Sequence, residues 1–380
     1  MDFTPEKPPV WINKPHQLQL VYKALQHQPR ISVDTESNSL FAYQEKVCLI
    51  QISSPEEDYL IDPLELHDLS LLGLLFKNPD QEKIFHASEY DLICMKRDFH
   101  FSFANIFDTM IAARILGATH VGLDSLLQQF FEIKINKKYQ RANWGVRPLP
   151  QEMLDYARQD TYYLFKLRDT LEADLISNSL LNLAHEDFKI ACKVKAHSNG
   201  NNQCECWKVA GANHMDGQQA AILNELCIYR DEQARKADLP HFKILSNELL
   251  YEISRQKPAS LEELSTIPRC SEKIVKRHGS GLLKAVSVGL DAPPIYRQRN
   301  SRPDDDYLAR IDLLKKWRKD KGRELKVESD IVLPRDLLER IAAANPQKKS
   351  ELHKLMSETP VRYQKFGTLI MKELLNKETP

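Results

Sequence analysis

The stretch RISVDTE, residues 30–36, decides how the first half of this chain folds. Its apolar start reads as a strand, and Asp34 and Glu36 stand two residues apart at the strand's end. In extended backbone positions i and i+2 face the same side, so both carboxylates converge on one point. Two further apolar runs follow, VCLIQIS at 47–53 and DYLIDP at 58–63, and the polar turn SPEE between them predicts an antiparallel hairpin. Ahead of the strand, PHQLQLVYKALQHQP carries helical spacing, with Leu18, Val21 and Leu25 on its apolar stripe. Residues 71–76 fit a short helix, and KIFHAS at 83–88 a returning strand. Helical spacing then takes over, through Asp91, Leu92, Met95 and Phe99, through residues 109–116 and 123–131, and in one long helix from about residue 151 to 176. Pro148 and Pro150 suit the start of that last helix. The order predicts a mixed sheet flanked by helices, closed near residue 190.

With 380 residues the chain is long enough for two or three domains, and 42% hydrophobic content supports ordinary cores. No run approaches eighteen consecutive apolar residues, so no membrane span is expected. The start, MDFTPEKPPVWINK, lacks the basic and apolar regions of a signal peptide, and a cytoplasmic location is the default expectation. Seven cysteines form no disulfide ladder and no CxxC pair; Cys204 and Cys206 lack zinc-site spacing, and the rest read as reduced thiols. The formal charge of zero is unevenly spread: residues 1–190 are net −8, whereas 191–300 and 301–380 are each +4. A polyanion would meet the C-terminal half first, and the acidic half needs cations before it tolerates phosphate.

Residues 193–216, Gly/Asn-rich and polar except around Trp207, form the clearest break, with Trp207 and Val209 suited to docking on a neighbour. Two helical modules follow. Each runs as a long helix ending in a basic segment, a short linker and three shorter helices, a degenerate repeat of roughly 80 residues. DAPPIYRQRNSRPDDD at 291–306 joins them. The expected division is an α/β domain at 1–192, a linker at 193–210, modules at 211–290 and 303–380, and a linker at 291–302.

Two further segments carry acids. FHASEYDL puts Asp91 near a helix start after a strand, with Glu89 a competing ligand and His86 better suited to packing. In YARQD, Tyr156 and Asp160 are four residues apart and so share one helix face, at the border of an apolar one. Taken in order, VDTE at 33–36, HASEYDL at 86–92 and YARQD at 156–160 resemble the three exonuclease motifs of the DEDD superfamily, DEDDy subclass, with ribonuclease D the nearer pattern. VCLIQIS, FDT at 107–109 and WGVRPLP at 144–150 are similar to its supporting segments. The two C-terminal modules resemble HRDC domains.

The resemblance implies an α/β nuclease domain of ribonuclease H-like mixed-sheet type, followed by two all-α HRDC-like domains. It implies that Asp34, Glu36, Asp91 and Asp160 hold two divalent ions, Mg2+ or Mn2+, with Asp34 shared, Glu36 and Asp160 completing one ion and Asp91 reaching the other. Tyr156, with a reference pKa near 10, is a poor base at neutral pH and would orient the attacking water. The implied activity is 3′→5′ exoribonuclease, releasing nucleoside 5′-monophosphates from RNA, with tRNA precursors bearing 3′ extensions as substrates and a monomer as the working form. An exodeoxyribonuclease and a nucleic-acid-binding scaffold with an inactive nuclease domain are the alternatives. Candidate substrate contacts are Lys137, Lys138, Arg141 and Arg147 along the backbone, Trp144 as stacking or packing surface, and Leu40 and Phe41 as a wedge against the terminal base or as packing. The basic stretches at 230–238 and 315–323 would either bind the body of the substrate or pack on the catalytic domain.

Overall fold

The structure, a computed structural model, describes residues 7–196, 205–297 and 302–375. Six strands form one sheet: β1 (Val10–Ile12), β2 (Arg30–Ser37), β3 (Val47–Ser53), β4 (Asp58–Ile61), β5 (Glu82–Phe85) and β6 (Ile106–Asp108), in the order β1-β4-β3-β2-β5-β6. The β2–β3 and β3–β4 pairs are antiparallel and the other three parallel, giving the expected mixed sheet. β3 is buried at all seven positions because helices cover both faces. β1 and β6 escape a sequence reading, since three residues are too few to establish an alternating pattern. β5 stops at Phe85, short of the expected Ser88, because Ala87 turns to a φ of 60°.

Eight helices surround the sheet: α1 (Pro15–Leu25), α2 (Ser70–Lys77), α3 (Glu89–Phe99), α4 (Thr109–Ile115), α5 (Leu123–Phe131), α6 (Gln151–Tyr162), α7 (Leu164–Ser177) and α8 (Leu181–Ala191). The single long helix expected from residue 151 to 176 is broken at Tyr163. The Ser32 hydroxyl donates to the Thr161 carbonyl at 3.0 Å and ties the end of α6 to the sheet. After the break α7 sends Leu164, Leu167, Leu171 and Leu175 into the main core, beside Ile31, Val33, Ile84 and Phe107.

The described residues pack as two compact units, one drawn from Met1–Ser37, Val47–His197 and Arg302–Pro380, the other from Asn38–Lys46 and Ser198–Ser301. In the second unit, helices Gly217–Ala237, Asn247–Gln256, Leu261–Thr266 and Glu272–Asp291 enclose a core that includes Val209, with Trp207 packed against it. Cys206 lies in that core and is disulfide-bonded, so not every cysteine is a reduced thiol; Cys204 falls outside the described residues. Loop residues 38–46 belong to this unit: the Tyr43 hydroxyl donates to Asp231 at 2.7 Å, and Lys243 Nζ lies 4.0 Å from the Phe41 ring centre. No helix among the described residues is long and apolar enough to cross a membrane.

The second helical module, with helices Asp305–Leu325, Arg335–Ala344, Lys349–Leu355 and Pro360–Leu375, joins the sheet's unit. Ile331 enters the main core, and Arg362, 1% exposed, crosses into α8. Its guanidinium donates to Glu186 and Asp187 at 2.7 Å each, and to the Ile331 carbonyl at 2.9 Å. Such a buried pair costs about 3–5 kcal/mol when one partner is removed, because the other charge is left without compensation. Arg362→Ala is therefore expected to lower the melting temperature and to speed proteolysis between residues 297 and 335. Lysine at 362 should rescue little, since one ammonium cannot replace the two-pronged contact; unchanged melting in both variants would count against this docking.

Candidate active site

The site begins with how α6 is fastened across β2, β3 and β4. Ser32 and Ser53 are cross-strand partners, and both reach Thr161: Ser32 Oγ donates to its carbonyl, and Ser53 Oγ shares a 2.7 Å bond with its hydroxyl. Arg158 closes the far side through a buried ion pair of 2.8 Å with Asp58 on β4. Once Thr161 is pinned, its neighbour Asp160 is set against β2, and Tyr156 follows one turn earlier on the same face.

The result is a triad. Asp34, Glu36 and Asp160 each offer a carboxylate oxygen, and these oxygens lie within 4.8 Å of one another. At that spacing, with an effective dielectric constant near 20, each ionised pair repels by roughly 3–4 kcal/mol. Burial and then the charge of Asp160 raise the Asp34 carboxyl well above the usual range. Burial, followed by the charges of Asp34, Asp160 and Asp91, pushes Glu36 up to about 10. Asp160 rises to about 7 through burial and then Asp91. A set of hard oxygen donors that repel one another fits a divalent cation such as Mg2+ or Mn2+, whose charge removes the repulsion.

Asp91 comes from the first turn of α3, outside the tight triad, and is buried. It accepts a hydrogen bond from Thr35 Oγ1 on β2; burial and the charge of Asp34 raise its carboxyl. Glu89, its competitor in the sequence, instead lines a separate cleft with Arg114 and Asp187. The entry into α3 is shaped by Asp108, whose carboxylate accepts from the backbone N–H groups of Ala87, Ser88, Met110 and Ile111. His86 Nδ1 bonds Thr109 Oγ1 at 2.9 Å, a packing role. Asp108 and Thr161 are positioning residues that the sequence reading did not single out, although FDT and the residue after Asp160 were the available signals.

Tyr156 is packed between Trp144, with ring centres 6.1 Å apart, and Tyr139, at 5.9 Å. Burial raises its phenol above the ordinary value, so it remains a neutral O–H. Two proposed substrate contacts are corrected here. Trp144 is 1% exposed in a core with Leu49, Leu60, Met153 and Ala157, so it has no free face for a base. Arg147 spends its guanidinium on buried Asp62, at 2.6 and 2.7 Å, and on the carbonyls of Cys48 and Trp144; it staples the loop rather than offering charge to phosphate. Lys137 pairs with Asp124 and Lys138 with Glu152 at the surface, where such pairs are weak and exchange readily with a phosphate. Arg141 is exposed, with no ion pair among the described residues. Leu40 and Phe41 group with the second unit rather than with the carboxylates' own.

Known proteins resemble this arrangement. A family model described as 3′-5′ exonuclease matches residues 9–176, and the HRDC domain model matches 219–286 and 308–374. The chain is 31% identical over 272 residues to Protein RRP6-like 2 of Arabidopsis thaliana, covering 68% of this chain and 31% of that protein. It is 31% identical over 268 residues to the exosome complex exonuclease RRP6 of Saccharomyces cerevisiae, covering 67% of this chain and 37% of that protein. The chain thus spans well under two thirds of these relatives' length. Among solved structures, the catalytic core of RRP6 from Trypanosoma brucei superposes with a TM-score of 0.64 at 28% identity, over 75% of this chain and 80% of that one. RNase D of Escherichia coli shares the fold, with a TM-score of 0.69 at 23% identity over 93% of this chain and 100% of that one. With the acidic triad on β2 and α6 and both helical modules matching the HRDC model, the chain belongs to the DEDD family of 3′-5′ exonucleases, in its RNase D/RRP6-like branch, and carries C-terminal HRDC domains.

Proposed function

We propose that this chain is a two-metal-ion 3′→5′ exoribonuclease that trims the 3′ ends of structured RNA, tRNA precursors among them, and releases nucleoside 5′-monophosphates. The observation that carries the reading is the convergence of the Asp34, Glu36 and Asp160 oxygens within 4.8 Å. The choice of RNA rests on kinship with the RRP6-like proteins and on the fold shared with an RNase D described as an exoribonuclease involved in structured RNA processing. Carboxylates are indifferent to the 2′-hydroxyl and do not make that choice themselves.

In this reading Asp34, Glu36 and Asp160 would hold the cations at the triad, and Asp91 would reach a second one. When bound, two such cations supply an activated water, neutralised phosphate oxygens and a stabilised leaving 3′-oxygen. The protein's own part is positional. Thr35 orients the Asp91 carboxylate, and the Thr161 clamp holds Asp160 in register with β2. The neutral Tyr156 hydroxyl orients the attacking water by hydrogen bonding and does not take its proton. Exposed Lys137, Lys138 and Arg141 track the RNA backbone.

The decisive assay offers 3′-extended tRNA, unstructured RNA and single-stranded DNA to the protein with Mg2+ or Mn2+. Stepwise loss of 3′ nucleotides from RNA, silenced by chelation, is the expected result. Preferential digestion of DNA would reassign the substrate, and no product on any of the three would favour a binding scaffold. Asp34→Asn and Asp160→Asn should each cut turnover by more than the roughly 10–100-fold that losing an outer partner of a metal ligand costs. Full activity in either would rule out the site. Tyr156→Phe should slow hydrolysis while leaving the calorimetric metal affinity unchanged.

A pH dependence follows from the same acids. In the metal-free protein Glu36 and Asp160 titrate near 10 and 7, above the ordinary carboxylate values near 4. The native state therefore keeps protons the unfolded chain has lost, and its stability falls as pH rises through that window. With chelator present, the melting temperature should drop from about pH 4 to pH 10. Saturating Mg2+ or Mn2+ should restore it, and Asp160→Asn should flatten the part below about pH 7.

A further inference from the structure

Gln51 occupies an unusual place for an amide. It lies on β3 directly across the antiparallel ladder from Asp34, with Leu60 of β4 on its other side. Residues directly opposite in a ladder share a face, so Gln51 stands beside Asp34 under α6. It is fully buried, and neither its Oε1 nor its Nε2 has a partner among the described residues. The other polar side chains of the row are engaged: Ser32 and Ser53 both hold Thr161. Leu49, Leu60 and Ala157 show that the surroundings on the β4 side are apolar, so a leucine or methionine at position 51 would pack without leaving a polar group unmatched.

An unmatched buried amide facing a metal-ligand carboxylate has one evident use. We propose that Gln51 is a positioning residue for Asp34, its Nε2–H donating to the carboxylate when that group is ionised and engaged with cations. The amide then holds one oxygen and limits the rotation of the group that both cations would share. Outer partners of this kind orient metal ligands and raise affinity by about 10–100-fold. The inference rests on the metal-site reading of Asp34 given above.

Gln51→Met and Gln51→Leu keep the volume near that of the amide and remove its donor. The test measures Mn2+ dissociation constants by calorimetry, together with the Mn2+ spin-resonance spectrum and the melting temperature in chelator. Wild-type protein and Asp34→Asn are measured first; if these two bind Mn2+ alike, the metal-site reading itself fails. Given wild-type binding lost in Asp34→Asn, either Gln51 variant should bind Mn2+ at least about tenfold more weakly, with an altered spectrum and an unchanged or higher melting temperature in chelator. Affinity within threefold of wild type in a folded variant would overturn the proposal, whatever the melting temperature does. A lower melting temperature with wild-type affinity would make Gln51 a structural amide only.

Discussion

Thr161 is held to two strands at once, and the chemistry of this protein depends on that fastening. Its carbonyl is taken by Ser32 of β2 and its hydroxyl by Ser53 of β3. The first of these bonds lies in the last turn of α6 and fixes its register on the sheet. Asp160 has no freedom to retreat from Asp34 and Glu36, although all three are acids. The repulsion is imposed by packing, and burial first, with the neighbouring charges second, raises the three carboxyls.

That imposed repulsion separates a ligand set from a chance grouping of surface acids. Exposed carboxylates rotate apart or are screened within about 8–10 Å by salt. Here the backbone of β2 is central in the sheet, α6 is stapled across three strands, and Asp108 ties the turn into α3 to the start of α4 with two backbone N–H bonds from each. The acids come from one strand and two helices, and none sits on a loose loop. A cation adds charge balance to a frame that is already built, which is how preorganised electrostatic sites work.

Much of this was legible in the sequence where the signal is local. Asp34 and Glu36 share a side because a strand repeats every two residues, and Tyr156 and Asp160 share a face because a helix turns every 3.6. The helices of both modules followed from their apolar stripes. What stayed hidden depends on partners far apart in the chain. Arg147 reads as a free cation beside other basic residues until Asp62, 85 positions earlier, is brought under it. Trp144 reads as core with stacking as an alternative, and only the closure of α6 over β3 and β4 decides for core. The break at Tyr163 lies beside Thr161, whose carbonyl accepts from a serine 129 residues upstream. The two three-residue strands fall below the length at which periodicity means anything.

The unit that holds the carboxylates is discontinuous in the chain: it is left after Ser37, re-entered at Val47, left again near residue 197 and completed only from Arg302 onward. Ile331 belongs to its main core, and Arg362 is the ion-pair partner of buried Glu186. During synthesis, when chains emerge N-terminus first and domains settle as units, the sheet and its acids are present long before the segment that covers them. The nascent nuclease domain therefore waits, with part of its apolar surface and the Glu186 carboxylate open, until the segment from Arg302 to Arg362 has left the ribosome. Assembly of the finished unit is in effect a check that the chain has been read through to its second helical module.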